Sequence, residues 1–243
     1  MPAPRAIHLT AGLHHPAAAT APFWASLFDD LGISVATFED IDAGCAALAA
    51  RPHDLLVVSA LRWSMTNDEK YAVHRDQWGY DIPSDARAAI TAHLARGGAL
   101  LAMHAATLCF DTWPQWEEIV GGRWVWGQSG HPPYGPVSTR VVAPDHPLMQ
   151  GVSAFESRDE VYGELRRASH CEVLAQSRAE DGKWMPTVWC HQWQGARIFY
   201  DALGHNMDGF TDPAHRHLLT NAIGWLLGPR PSALTEDTHH AKH

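Results

Sequence analysis

Three histidines stand where an α/β topology would bring loops to one rim: His14, His104 and His205. His104 is the most informative, in Ala102-Met103-His104-Ala105-Ala106 at the end of an apolar run. A strand that turns sharply into a helix needs small residues two positions either side of the exposed one. Ala102 and Ala106 meet that need. They present an imidazole where a nucleophile elbow carries Ser or Cys. A plainer reading makes His104 a hydrogen-bonded residue at a strand end. His14 lies beside His15 in the first such loop, before Pro16, where one of the two imidazoles is expected to approach the site. His205 follows the strand-like segment 196–201.

The elements that must position these residues alternate along the first hundred residues. Strand-like runs occur at 6–10, 33–38, 54–59 and 99–103, with helical spacing at 23–31, 42–50 and 84–96. Asp42 and Ser84 are the expected N-caps. Runs such as Leu55-Leu56-Val57-Val58 are continuous and apolar, as strands buried on both faces are. The alternation predicts βαβ units around a mainly parallel sheet. In such a sheet ligands bind beyond the carboxyl ends of the strands. Further on, a helix is expected at 114–120, strands at 138–142, 172–176, 187–191 and 196–201, and a closing helix at 213–227. Residues 60–83 form a polar insertion rich in Trp and Tyr, a candidate lid carrying Trp63, Tyr71, Trp78 and Tyr80. Residues 1–228 read as one domain and 229–243 as a disordered tail.

Composition narrows the function. The chain has 243 residues, 46% of them hydrophobic and 19% charged, enough for a sizeable core. Lys plus Arg number 18 against 27 for Asp plus Glu, a net charge of −9, which speaks against a nucleic-acid partner. No run of 18 apolar residues exists, so no membrane span is expected. The N-terminus lacks the apolar core of a signal peptide, and the four cysteines are scattered without a CxxC pair. That usage suits reduced thiols in a cytoplasmic protein. The 17 histidines and 11 tryptophans suit polar, carbohydrate-sized or metal-assisted sites.

The sequence resembles the ThuA-like (trehalose-utilisation) family from about residue 6 to 228. The resemblance rests on residues 98–107 around the elbow, on Gly121-Gly122, on Asp145-His146-Pro147 and on Asp159-Glu160-Val161-Tyr162-Gly163. Pro186, Trp189, residues 195–200 and Leu203-Gly204-His205 complete it. It implies a flavodoxin-like fold similar to class I glutamine amidotransferases, a three-layer sandwich, and a role in sugar metabolism on oxidised disaccharides or keto-sugars. The elbow departs from those amidotransferases, which need a cysteine activated as thiolate. His104 occupies that place and Cys109 lies five residues on, so glutamine hydrolysis through a thioester is excluded.

What remains is a constellation of His104, Glu160 and His205. Imidazole and carboxylate exchange protons near neutral pH, which suits enolisation beside a ketone, epimerisation, or elimination of a glycosidic bond β to a carbonyl. Two His and one Glu with an open position are equally a ligand set for a divalent metal such as Zn²⁺, which would polarise a ketone or diol. Glu160 also has a structural alternative, an ion pair with Arg158 or Arg197. His131, Tyr162, Trp126 and Trp189 join His14 as candidate contacts to a sugar, Trp by its flat apolar face. Arg197 is expected to pair with Asp201 or Asp159, His146 to cap a turn, and His215 and His217 to lie at the surface or cap a helix. The leading function is an enzyme of carbohydrate catabolism acting on a keto-sugar or glycoside. The alternatives are a catalytically silent sugar-binding domain and an interaction subunit that docks a partner or a second copy through its Trp-rich loop.

Overall fold

In the computed structural model, residues 2–180 and 182–228 are described. The first half alternates as β1 (Arg5–Leu9), α1 (Ala21–Asp30), β2 (Ser34–Phe38), α2 (Ile41–Ala50), β3 (Leu55–Val58), α3 (Arg75–Trp78), α4 (Ser84–Ala95) and β4 (Ala99–Met103). Every residue of β3 and β4 is buried, as expected of strands covered on both faces. The second half adds α5 (Pro114–Val120), β5 (Gly122–Arg123), β6 (Gly135–Val141), β7 (Phe155–Asp159), β8 (Arg166–Arg167), β9 (Glu172–Ala179), β10 (Met185–Trp193), β11 (Ala196–Asp201) and α6 (Pro213–Leu227). The expected tail, 229–243, lies outside the described residues.

Among the described residues nine strands form one sheet in the order β2-β1-β3-β4-β11-β10-β9-β6-β7, while β5 and β8 pair separately. The pairings from β2 through β11 are parallel. From β11 to β7 they are antiparallel. The expected parallel sheet is therefore one half of a mixed α/β sheet. Between β4 and β11, which pair in parallel, residues 135–201 fold back in antiparallel pairs, and the described residues there hold no α-helix, only a 3-10 turn at Pro147–Met149. Strand β7 was not legible, because Ser157 and Asp159 share its buried face with Phe155 and hide the apolar alternation.

Helices cover both faces of the parallel half. On one, Leu48 of α2, Ile90 of α4 and Ile119 of α5 pack with Ile7, Leu56, Val58 and Leu100. On the other, Phe23 and Leu27 of α1 and Leu219 and Ile223 of α6 pack with Leu55, Val57, Leu101 and Met103. Each such side chain contributes about 1.5–3 kcal/mol on burial, so the strand ends are held on a rigid base. Asp40, rather than Asp42, caps α2 by accepting from the Ala43 N–H at 3.1 Å. Pro83 takes the N-cap position of α4 and makes no side-chain cap. Arg197 donates to the Trp225 carbonyl and, at 3.1 Å, to that of Gly228, closing the end of α6.

Candidate active site

His104 is the first residue after β4 and adopts φ 44°, a left-handed conformation rare for a residue with a Cβ. Ala105 and Ala106 pack behind it with no exposure. Its Nδ1 lies 2.7 Å from the Ala202 carbonyl, which fixes Nδ1–H as the donor and turns Nε2 toward the cavity. Tyr162, buried, donates its hydroxyl to that Nε2 at 3.0 Å. The His104 carbonyl accepts from the Tyr200 hydroxyl at 2.8 Å. The elbow is thus held from both sides.

Glu160 and His205 join it. Glu160 Oε2 lies 3.7 Å from His104 Nε2 and 3.5 Å from His205 Nδ1, and Oε1 lies 3.8 Å from His131 Nδ1. The ion pairs considered for Glu160 with Arg158 or Arg197 are replaced by these histidines. A fourth group joins from His15, whose Nε2 stands 3.2 Å from His205 Nδ1 while its Nδ1 donates to the Leu13 carbonyl at 3.0 Å. Ligand atoms of His15, His104, Glu160 and His205 all lie within 4.8 Å of one another. His14, a candidate sugar contact, lines the outer part of the cavity over this centre and has φ 63°. His14 is exposed and faces His74 with ring centroids 6.4 Å apart, while His15 turns inward. Nothing in the order of two adjacent histidines signals that turn.

Burial shapes the charges here. It pushes the His15 imidazole down to about 3, with the neighbouring His104 adding to the effect. Burial and His104 likewise lower His205. Burial opposes ionisation of Glu160, yet the neighbouring His104, with His205 and His131 beyond, holds its carboxyl at about 2. Burial also works against a charged His104, but Glu160, Asp159 and the Ala202 carbonyl outweigh it and raise its affinity for a proton.

A cavity of about 490 Å³ opens over the centre. His131 and Trp126 line it, as does Tyr162. Trp189 does not. It is fully buried in the core, with Nε1–H donating to the Val120 carbonyl at 2.9 Å. From the 60–83 insertion, Trp63 and Tyr71 form a wall with Trp126, their rings 5.1 Å apart for Trp63–Tyr71 and 6.4 Å for Trp63–Trp126. Trp78 instead lies against Arg62, and Tyr80 donates to Asp42 at 2.6 Å. Asp111 accepts from Ser64 and Asn67 at 2.6–2.8 Å and ties the insertion to the body.

Elsewhere His146 caps its turn, as expected, by accepting from the Leu148 N–H at 3.2 Å. His215 departs from the surface position expected for it. It is buried without exposure, donating from Nε2 to Asp201 at 2.8 Å and from Nδ1 to the Gly209 carbonyl at 2.6 Å. Two other groups, His170–Cys171–His191 and His146–Glu172–Cys190, also bring ligand atoms together. In these groups His191 Nε2 lies on the Ile119 carbonyl at 3.0 Å and His146 Nδ1 accepts from the Leu148 amide.

Fold and site together define a mixed α/β protein with a His₃Glu centre beyond the carboxyl ends of its parallel strands, and an imidazole at the elbow. The profile of the ThuA family, described as trehalose utilisation, matches residues 8–226, and the chain belongs to that family. A ThuA-like protein from Parabacteroides merdae is similar in structure, with a TM-score of 0.72 and 16% identity over 97% of this chain and 94% of that one. One from Bacteroides uniformis gives 0.69 and 20% over 96% and 95%. A β-galactosidase from Bacillus circulans gives 0.57 and 11%, covering 94% of this chain but 32% of its own. At these identities the likeness concerns the fold. No curated protein matches the sequence. No described helix is long and apolar enough to cross a membrane.

Proposed function

We propose that the chain is an enzyme of carbohydrate catabolism that holds a divalent cation, such as zinc, at His15, His104, Glu160 and His205 and acts on a keto-sugar or glycoside. The observation that carries this reading is the convergence of three imidazole nitrogens and one carboxylate oxygen within 4.8 Å. Two of the rings, His15 and His104, commit Nδ1–H to backbone carbonyls and turn Nε2 toward the others; at His104 the Tyr162 hydroxyl shares that nitrogen and would turn aside for a cation. Ligating histidines are characteristically oriented this way, by a hydrogen bond from the other ring nitrogen. A bound cation would polarise a sugar carbonyl or diol, or lower the pKa of a ligated water.

The chain's own groups supply the rest. His131 reaches the cavity from the far oxygen of Glu160 and can accept or return a proton. Tyr162 holds the His104 ring by its hydroxyl. Trp126, Trp63 and Tyr71 offer flat faces to sugar C–H groups. Thiol chemistry has no place here. Cys109 is buried, donates to the Ala60 carbonyl at 2.8 Å, and burial pushes its thiol up to about 12, so it is not a thiolate at neutral pH. The unpaired, buried cysteines support a cytoplasmic setting. Helices on both sheet faces support the finer, flavodoxin-like three-layer reading of the fold.

Elemental analysis of untagged, chelator-free protein tests the proposal beside His104→Ala and Glu160→Gln, together with turnover on a panel of keto-sugars and glycosides. Near-stoichiometric metal, lost in both variants along with turnover, is the expected result. Full turnover in Glu160→Gln would overturn it. Saturable sugar binding without turnover in the metal-loaded wild type would favour a silent binding domain.

A further inference from the structure

Asp159 ends β7 with 1% exposure, yet it carries a carboxylate. Its hydrogen bonds come from backbone N–H groups of the two segments that deliver site residues. Oδ1 accepts from Glu160 at 2.8 Å and from His205 at 3.2 Å, and Oδ2 accepts from Gly204 at 2.7 Å. Glu160 and His205 lie 45 residues apart in sequence, on loops that leave different strands, and one carboxylate holds both backbones. The surroundings make room for it. A Cβ built on Gly209 would lie 2.3 Å from Asp159 Oδ2, so a side chain at 209 would displace the carboxylate.

A buried carboxyl is costly unless its oxygens are hydrogen-bonded, and the backbone N–H groups of Glu160, Gly204 and His205 meet that need.

Resting on the cation reading above, we propose that Asp159 is the positioning residue of this centre. Its carboxyl group clamps the Glu160 and His205 loops in one ligating geometry. It touches neither cation nor substrate and acts through the two ligands whose backbones it fixes.

Co²⁺ serves as the probe, because its visible absorption reports the number of protein ligands. The Co²⁺ spectrum, the Co²⁺ dissociation constant and the metal-free melting temperature are measured in wild type, Asp159→Asn and Gly209→Ala. The wild type is expected to bind one equivalent with an intense band. Asp159→Asn should bind about 10- to 100-fold more weakly, the range seen for outer-shell partners, with the band weakened as water replaces protein ligands. Gly209→Ala retains Asp159 but pushes on its carboxyl group, so an altered band is expected there as well, and it serves if Asp159→Asn does not fold. In the wild type itself, Zn²⁺ should slow amide exchange at Glu160, Gly204 and His205 together.

A purely structural role would lower the melting temperature and leave spectrum and affinity unchanged, which would overturn the proposal. So would Zn²⁺-dependent slowing at His205 without Gly204 and Glu160. Failure of the wild type to bind Co²⁺ or Zn²⁺ would instead remove the cation reading, and this inference with it.

Discussion

His205 Nδ1 and His15 Nε2 face each other at 3.2 Å across the cavity floor, brought there by the last and first parallel strands. His15 has only one free nitrogen, since its Nδ1–H is committed to Leu13. Burial, with His104 beside it, keeps that ring neutral down to about pH 3, so Nε2 offers a lone pair. Either His205 donates a proton into it or both nitrogens share a cation. His15→Ala decides between these. Under the cation reading it loses bound metal as fully as Glu160→Gln does, with metal-free stability changed by no more than about 2 kcal/mol. Undiminished metal content in His15→Ala would exclude it from the ligand set.

Tyr162 does two jobs that one substitution separates. Its ring is buried 4.4 Å from the His104 ring by centroid, and its hydroxyl donates to Nε2. Tyr162→Phe keeps the ring and removes the hydrogen bond. The expected cost is about 0.5–1.5 kcal/mol in denaturant unfolding, with metal content retained. Loss of metal in this variant would mean that the hydroxyl itself is needed to aim the His104 ring.

Trp126 and Trp189 test how side chains of one type divide between cavity and core. Trp189→Ala removes a fully buried side chain and should cost about 3–5 kcal/mol. Trp126→Ala, at the cavity wall, should cost far less stability and weaken sugar binding instead. Unfolding curves and thermal shift with a sugar panel read the two effects separately. Equal stability losses would contradict the placement of Trp126 at the wall.

The same pair shows what the sequence carried. Strands β3 and β4 were legible as unbroken apolar runs, and the elbow as small residues around His104, because each is a local pattern with a local physical cause. Glu160 and His205 were legible as candidates through their flanking blocks, and the fold brings them to one cavity. Trp189 and Trp126 were not distinguishable, since a Trp in a strand and a Trp in a loop differ only in what later packs over them. Which of His14 and His15 turns inward was hidden, since adjacent identical residues do not visibly encode the backbone turn at His14. His215 was hidden because its partner, Asp201, meets it only once β11 and α6 are packed.

That buried pair has its own consequence. His215 and Asp201 are both without exposure, 2.8 Å apart. Burial disfavours the charged ring, but Asp201, the Gly209 carbonyl and Asp159 outweigh it and raise its pKa. His215→Ala leaves the Asp201 charge uncompensated and should cost about 3–5 kcal/mol, read by denaturant unfolding. Because the folded pKa is raised, the stability this ring contributes is present in full below pH 6.5 and declines as pH climbs through the folded value. A variant as stable as wild type at pH 6 would show the pair to be energetically idle.

His8 and His93 act in the opposite direction. Both are buried, and burial pushes His8 down to about 3 and His93 to about 4. In the unfolded chain each titrates near 6.5. Between about pH 6.5 and 4 the unfolded state therefore takes up protons that the native core refuses, and stability falls as pH drops. The slope is about 1.4 kcal/mol per pH unit for each ring. His8→Phe keeps a ring beside Trp24 and Phe28 while removing one titration. Its unfolding free energy, measured in urea at several values from pH 6.5 to 4.5, should decline less steeply than that of wild type by about that amount. The comparison of slopes is unaffected by whatever the substitution costs at neutral pH, since a constant offset cancels. Identical slopes would mean that His8 is protonated within the folded core, contrary to the burial that surrounds it.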